Sequence, residues 1–449
     1  MKFGGSSVAT AQAINQVVGI IHGRLREKPV VITSALAGIT NLLLDCANFA
    51  AKRKISFETK ILHEIEARHR LVLSNFSPSV RQIIEPELNL TVTRLQTALN
   101  RIHRQKAAHK KDLDLIASFG ERMASWLLTG ALQNQGLNAE RISSRELVYT
   151  DSTFGAAEVD FRKTGRNFTQ RILPLLRRKI IPVITGFIGV NSKGNTTTLG
   201  RGGSDYSAAI AAVCLNAKEI QIWKDVKGFM TADPRIIKKA SVVPCLSFQE
   251  AAELSYFGAK LLHPKTIHPA IKKNIPVRIL NTFAPKNPGT IIRQTSPFGH
   301  AKTPVRAISY KKNITIINVT SLRMLGPYGF MEKLFKTFAI HRIPVDVVAT
   351  SEVSVSVTIE DSALTNLLIR DLKRIGRTEV RKKHVILSLV GSGLRSDPRV
   401  EAHIFEALCK LNIPTHMISK GASAINFTCI IEEKYFDQAI RALHKKFFS

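Results

Sequence analysis

The chain has 449 residues, enough for two to four domains with cores of their own. Its 44% hydrophobic and 22% charged content is that of an ordinary globular protein, and no apolar run approaches the roughly 20 residues a membrane helix needs. The formal net charge of +31 suggests nucleic acid, but it is spread evenly: residues 301–449 hold 23 Lys and Arg against 13 Asp and Glu, net +10, leaving +21 for the rest. A nucleic-acid binder concentrates such charge in a tail or stripe, so we expect no specific nucleic-acid partner and only a general attraction for anionic substrates.

The first residues, MKFGGSSV, read as a strand end entering a glycine turn, without the apolar core of a signal peptide. A cytoplasmic protein is expected. Lys2 beside Gly4 and Gly5 is a phosphate-binding arrangement, a mobile ammonium next to closely approachable backbone. Residues 9–26 follow as a helix with Ala11, Ile14, Val17, Val18 and Ile21 on one face. Residues 29–33 (PVVIT) are a short strand, and 34–41 (SALAGITN) a small polar loop. Strand, turn, helix, strand begins a parallel α/β sheet whose site lies at the strand C-termini. Residues 41–111 are helical by pattern, and their densest basic stretch, 101–111, reads as a solvated face. Residues 113–121 (LDLIASFGE) open a helix through Leu128. Ser118 and Glu121 fit a capping box there; alternatively, Glu121 is the anionic partner of a substrate ammonium.

Strands at 137–142 and 180–189 lead to NTTTLGRGGSDYS at 195–207, the richest stretch of the chain. Its glycines at 200, 202 and 203 before a helix start make a site for phosphate or carboxylate, with Arg201 as a bidentate grip and Asp205 to orient a cation. A plain Gly-rich turn capped by Ser204 or Asp205 is the local alternative. Residues 219–226 form a strand that ends in the charged loop 224–235, where Asp225 and Arg235 are candidates for ribose, magnesium or phosphate. In 248–264, Gly258-Ala-Lys260 breaks a helical pattern and is another place for phosphate. Residues 275–280 are a strand, and 281–303 read as linker. Beyond lies an internal repeat: 333–345 aligns with 403–415 at an offset of 70, matching Phe335 with Phe405, Ile343 with Ile413 and Pro344 with Pro414. Apolar strands precede each helix (314–319, 385–390) and alternating strands follow (353–359, 424–430), so a βαββ module occurs twice. The five cysteines are odd in number and widely spaced with no CxxC, and read as free thiols.

Taken together, KFGGSS (2–7), SFGE (118–121), TTTLGRGGSDY (196–206), DVKGFMTADPR (225–235) and FGAKLLHP (257–264) resemble, in order and over the whole chain, the aspartokinases of the amino-acid kinase family. The tail is similar to tandem ACT domains, and 351–355 (SEVSV) to the effector segment of the single-function, lysine-inhibited type. The resemblance implies a three-layer α/β/α sandwich with a mainly parallel sheet, followed by two ferredoxin-like βαββαβ ACT domains. The implied boundaries are 1–295 for the kinase, 296–304 for a linker, 313–383 for the first ACT domain, and 305–312 with 384–449 for the second. It implies transfer of the ATP γ-phosphoryl group to the side-chain carboxylate of L-aspartate, the first step towards lysine, threonine and methionine, with L-lysine as the expected inhibitor. Lys2 would stabilise the transferring group, helped by the amides of Gly4, Gly5 and Gly203, with Asp205 holding Lys2. Arg201 would grip a substrate carboxylate and Glu121 its ammonium, with Thr40 and Ser204 as hydrogen-bonding neighbours. Ser6, Lys224, Asp225, Met230, Arg235 and Lys260 fall where the family meets ATP, whose phosphates carry Mg2+; no protein-held metal is implied. Met324, Gly329, Phe330, Met331, Val345, Asp346, Ser351 and Glu352 fall at the effector site, and ACT pairs imply a homodimer or larger assembly.

Four positions depart from the family pattern. Ser6 stands for a Thr, Lys224 and Met230 for a Thr and a Tyr, and Pro327 for a polar effector contact. In addition, Lys2 normally ends a longer strand, so either the start lies upstream or the first strand is a stub. Rival readings are a kinase for another amino acid such as glutamate, and a non-catalytic amino-acid sensor.

Overall fold

The computed structural model describes residues 1–258, 261–262, 264–294, 304–325, 328–395, 397–420 and 423–448. The chain forms two compact units, one of Met1–Phe229 with Leu262–Thr295, the other of Met230–Leu261 with Ser296–Ser449.

The first unit is built on short strands, and the central ones, such as Val31–Thr33 and Ile181–Thr185, are buried at every position, as parallel strands covered on both faces must be. They are β1 (Lys2–Phe3), β2 (Val31–Thr33), β3 (Ala139–Ile142), β4 (Ile181–Thr185), β5 (Ile188–Val190), β6 (Thr196–Thr198), β7 (Ile220–Lys224), β8 (Val277–Asn281) and β9 (Thr290–Arg293). The main sheet runs β3-β4-β2-β1-β7-β8-β9, parallel from β3 to β8, with β9 antiparallel; β5 and β6 form a separate hairpin. Although β1 is only two residues long, it is central: Lys2 is in register with Ile32 on one side and Ile222 on the other. Around the sheet lie α1 (Ala11–His22), α2 (Ile39–Ala51), α3 (Ile55–Leu73), α4 (Pro78–Gln105), α5 (Lys110–Asn134), α6 (Phe161–Arg177) and α7 (Gly203–Leu215). Thr10 caps α1 by accepting from the Ala13 amide, and Ile14, Val17, Val18 and Ile21 bury its inner face. One core joins Phe3, Val31 and Val183 of the sheet to Leu43, Leu99, Phe119 and Leu127 of the helices.

Helix α5 corrects one expectation. It begins at Lys110, where a box formed by His109 and Asp112 caps it, so Ser118 and Glu121 lie in its interior and cannot be a capping box. Ser118 instead donates to the Leu115 carbonyl at 2.6 Å. Gly120 is a point of close approach: a Cβ there would meet the Ala35 Cβ at 2.7 Å. The glycine lets the helix lie against the loop after β2.

The second unit carries a six-stranded sheet of β10 (Ala307–Thr320), β11 (Val348–Thr350), β12 (Ser354–Glu360), β13 (Arg377–Val390), β14 (Met417–Ser419) and β15 (Asn426–Glu432), ordered β11-β12-β10-β13-β15-β14. The two longest strands lie side by side and antiparallel, from Ala307 opposite Val390 to Thr320 opposite Arg377, with register shifts between Lys311 and Ile316. Each module adds its strands on its own side and covers them with two helices. Phe330–Ile340 and Asn366–Lys373 close over Ile317, Val355 and Val357; Arg399–Cys409 and Phe436–Phe448 close over Leu387, Phe427 and Cys429. These are the two βαββ repeats read from sequence.

Residues 230–261 are part of this second body. Ala232 and Ile237 join the C-terminal core cluster. The Thr231 hydroxyl and His444 Nε2 lie 3.0 Å apart, Glu250 accepts from the Ser392 amide at 2.9 Å, and Glu253 accepts from the Asn426 amide group at 2.8 Å. No helix among the described residues is long and apolar enough to cross a membrane.

Candidate active site

The motif residues of the first unit converge at the C-terminal ends of its central strands, where a parallel sheet presents its loops. After β1 the chain turns at Gly4 and Gly5; after β2 it enters the loop that α2 continues; β7 ends at Lys224. The hairpin of β5 and β6 delivers Leu199-Gly-Arg-Gly202, where Gly200 and Gly202 have φ of +76° and +72°, a conformation costly for other residues. That turn aims the start of α7 at the site.

Lys2 and Asp205 form a buried ion pair, Nζ to Oδ1 2.7 Å, with 7% and 8% of the two side chains exposed. Lys224, at the end of the neighbouring strand, reaches the other oxygen of the same carboxylate at 3.2 Å. Burial alone would raise the Asp205 carboxyl, but the ammonium groups of Lys2 and Lys224 outweigh it and hold the group below the usual carboxylate range. Removing one partner of such a buried pair leaves an uncompensated charge and costs several kcal/mol, about 3–5.

Glu121 is the opposite case. It is buried on α5, and its Oε2 has no hydrogen-bond partner. Burial raises its carboxyl to about 8, against the lowering influence of the Ala35 amide, its own amide and Lys2. A carboxylate so short of partners is prepared for an incoming cation.

The remaining first-unit residues are placed as follows. Arg201 is exposed at the tip of the glycine turn, with Gly203 and Ser204 opening α7. Thr40 is half-buried in the first turn of α2, and Ser6 half-buried after the β1 turn. Two of the amides implied for phosphate are already engaged: Gly4 donates to the Trp223 carbonyl at 3.0 Å and Gly203 to the Gly200 carbonyl at 2.9 Å. Asp225 is exposed one residue beyond β7.

Met230 and Arg235 belong to the second unit, where Arg235 is exposed and closes on Asp233 at 2.7 Å. Lys260 and Pro327 lie outside the described residues. Of the effector set, Met324, Phe330 and Val345 pack on the first ACT core, Gly329 caps the helix that Phe330 and Met331 begin, and Glu352 is exposed. Ser351 pairs with Ser354, hydroxyl to hydroxyl 2.7 Å. Asp346 is engaged, accepting from Lys311 at 2.7 Å and from the Tyr256 hydroxyl at 3.1 Å.

Asp114 is a participant that sequence reasoning missed. Its buried carboxylate accepts from the Thr198 amide and hydroxyl, both at 2.8 Å, and from the Gly155 amide at 3.0 Å. It therefore ties α5 to the strand that runs into the glycine turn. The available signal was an acid in an apolar helical pattern seven residues before Glu121, on the same helix face. A separate cavity of about 1000 Å³ opens between Met1, Lys28, Glu219, Arg278 and Pro288 and contains none of the motif residues. The convergent charges, not this hollow, define the site.

A parallel α/β unit with a lysine–aspartate pair at its strand ends, joined to a doubled ACT sheet, is the architecture of a regulated amino-acid kinase. The amino acid kinase family model matches residues 1–281, and an ACT domain model matches 387–447. Aspartokinase 1, chloroplastic, of Arabidopsis thaliana is 36% identical over 100% of this chain and 80% of its own length. Lysine-sensitive aspartokinase 3 of Escherichia coli (strain K12) is 34% identical over 100% of this chain and 98% of its own. Crystal structures of E. coli aspartokinase III, one with aspartate and ADP (R-state) and one with lysine and aspartate (T-state), superpose with TM-scores of 0.83 and 0.84. Each is 32% identical, covering 100% of this chain and 99% of that one. The chain belongs to the aspartokinases of the amino acid kinase family.

Proposed function

We infer that this chain transfers the γ-phosphoryl group of ATP to the side-chain carboxylate of L-aspartate, giving 4-phospho-L-aspartate, under feedback inhibition by L-lysine. The observation that carries the reading is the buried Lys2–Asp205 pair at the central strand ends, within electrostatic reach of the cation-seeking Glu121. The acceptor carboxylate has an ordinary pKa near 4 and is ionised without a general base. The obstacle is bringing one anion to another, so positive charge and positioning supply the catalysis. Lys2 meets the transferring phosphoryl group while Asp205 holds its ammonium in place. Arg201 takes a substrate carboxylate bidentately and Glu121 the ammonium, with Thr40 and Ser204 lining the pocket. Gly4, Gly5, Ser6, Lys224 and Asp225 of the first unit are proposed nucleotide contacts; the same role for Met230, Arg235 and Lys260 rests on the family pattern alone.

Mg2+ would enter with the nucleotide and would supply charge neutralisation to its phosphates. Asp205 is already committed to two ammonium groups, which fits a metal carried by phosphate better than one caged by protein carboxylates. Cytoplasmic residence is supported by five free cysteines, a state that a reducing compartment maintains. The proposed boundaries remain 1–295, 296–304, 313–383, and 305–312 with 384–449. Assembly through the ACT half is supported by the exposure of Leu322, Leu325, Tyr328 and Ile340 on the first module. A dead sensor is disfavoured because Lys2, Asp205 and Arg201 are all present.

The test is ATP-dependent formation of acyl phosphate from L-aspartate, trapped with hydroxylamine, with and without L-lysine. Turnover suppressed by lysine is expected. Turnover on glutamate and not aspartate would overturn the substrate, and no turnover on either would overturn the kinase reading.

A further inference from the structure

Away from the strand ends, the first unit gathers its arginines on one groove. Helices α4 and α5 pack side by side, and between them lies a cavity of about 500 Å³ lined by Arg94, Thr97, Arg101, Arg104, Gln105 and Leu115. Positions 94, 97, 101 and 104 recur at helical spacing and share one face of α4, a run of about 15 Å from the rise per residue. Arg122 lies two turns beyond Leu115 on the same face of α5, and its Nη2 donates to the Thr196 hydroxyl at 3.1 Å. Arg141 on β3 donates to the Ser125 hydroxyl at 2.8 Å and lies over the Trp126 ring, while Arg145 donates to the Gly194 carbonyl at 2.7 Å. A guanidinium carries five N–H donors, so these bonds fix the three groups and leave donors for a further partner.

The charges do not balance. Burial and the positive charges of Arg145, Arg141 and Arg94 lower the Arg122 guanidinium to about 10. The acids that face the arginines are few. Glu146 and Glu87 act on Arg141, Asp112 is taken by Arg101 at 2.5 Å, and Arg171 holds Glu140 and reaches Glu146 at 3.7 Å. Seven arginines (94, 101, 104, 122, 141, 145 and 171) against four acids (87, 112, 140 and 146) leave three positive charges over. Such crowding of like charge is unfavourable unless an anion joins it.

Two features choose the class of anion. No aromatic side chain lines the cavity, so it offers no platform on which a base could stack. Its volume suits a compact ligand, and guanidinium forks match phosphate oxygens in pairs. The groove is also separate from the candidate active site: Arg122 follows Glu121, but successive side chains on a helix point about 100° apart.

We propose that the groove between α4 and α5 binds a compact oligophosphate, an anion of several linked phosphoryl groups, gripped by Arg94, Arg101 and Arg104 along α4 and by Arg122 from α5. The face that the sequence alone reads as solvated is thus a binding site.

The test is calorimetric titration of the full chain with inorganic tripolyphosphate, without divalent cations. A site that takes one equivalent, prefers tripolyphosphate to inorganic phosphate and survives Lys2→Ala is expected. Arg94→Gln and Arg122→Gln should each weaken it roughly tenfold, and Arg377→Gln, at an exposed arginine of the second unit, should leave it unchanged. Circular dichroism verifies each fold, and Arg94→Gln, at an exposed position, carries the test if Arg122→Gln does not fold. A parent that binds no tripolyphosphate would overturn the proposal. So would an equal loss in Arg377→Gln, which marks a general attraction of a basic chain for anions. Binding lost in Lys2→Ala and kept in both arginine variants would place the anion at the strand ends instead. A thymidine oligonucleotide that binds more tightly than tripolyphosphate, with the same arginine dependence, would make the ligand a nucleic-acid strand and overturn the compact anion.

Discussion

At the scale of single residues, charge and burial decide the predictions. Lys2→Ala or Asp205→Ala should abolish acyl phosphate formation while the far-ultraviolet spectrum stays native; near-normal turnover in either variant would remove these residues from the mechanism. Glu121 sets a pH dependence. With its carboxyl raised to about 8 in the free protein, it is mostly protonated at neutral pH, and only the ionised form can hold the substrate ammonium. Affinity for aspartate should therefore rise with pH up to about 8 and then level off, and Glu121→Gln should bind weakly with that limb gone. A flat profile in the parent would show that Glu121 does not meet the ammonium. Glu352→Lys should relieve lysine inhibition and leave uninhibited turnover intact, since an exposed carboxylate there would face the effector's amino group. Inhibition curves identical to the parent's would place the effector elsewhere. Lys2, Arg201 and Asp205 are legible in sequence because each sits in a contiguous glycine-rich motif. The shared use of Asp205 by Lys224 is not, because it depends on the pairing of β1 with β7, strands more than 200 residues apart.

At the scale of elements, α5 is the main lesson. The sequence pattern places a helix there but offers Ser118 and Glu121 as its capping box, whereas the helix is already continuous at that point and Gly120 admits Ala35. A single helix then presents Asp114 and Glu121 about 10 Å apart along one face, from the rise per residue. Asp114 is a positioning residue: it holds Thr198 and Gly155, and through the strand of Thr198 the turn that carries Arg201. In Asp114→Asn, one of the two acceptor oxygens becomes a donor facing amides or a hydroxyl, at a cost of about 1–3 kcal/mol. KM for aspartate should rise several-fold more than KM for ATP in the folded variant; an equal rise in both would reduce Asp114 to a general stability role. The ACT strands are legible from their alternation and the offset of 70. Strands β11 and β14 are not, being three residues each and too short to show a period.

At the scale of the whole molecule, the division of the chain does not follow its motifs. Residues 225–235 read as one nucleotide loop, yet Asp225 belongs to one compact body and Met230 to Arg235 to the other. Sequence could not show this, because the apolar side chains that decide it, Ala232 and Ile237, complete a core formed with residues from Val305 to Phe447, far along the chain. Ile237→Ala should destabilise the C-terminal body by about 2–4 kcal/mol. Hydrogen exchange should accelerate along Val385–Leu389 and Leu443–Phe447 while Val31–Thr33 stays protected; protection unchanged at the former would show that Ile237 is not part of that core.

The stretch from Met230 to Leu261 has a consequence for how this protein can be divided or evolve. A gene cut anywhere after it would separate a C-terminal fragment from a piece of its own interior, and a cut before it would strip the catalytic part of the segments that follow. The polypeptide passes from one body to the other at three points, near residues 229, 261 and 295. Regulation and catalysis are thus spliced into each other along the chain, and exchanging one ACT half for another requires refitting residues far upstream of the junction.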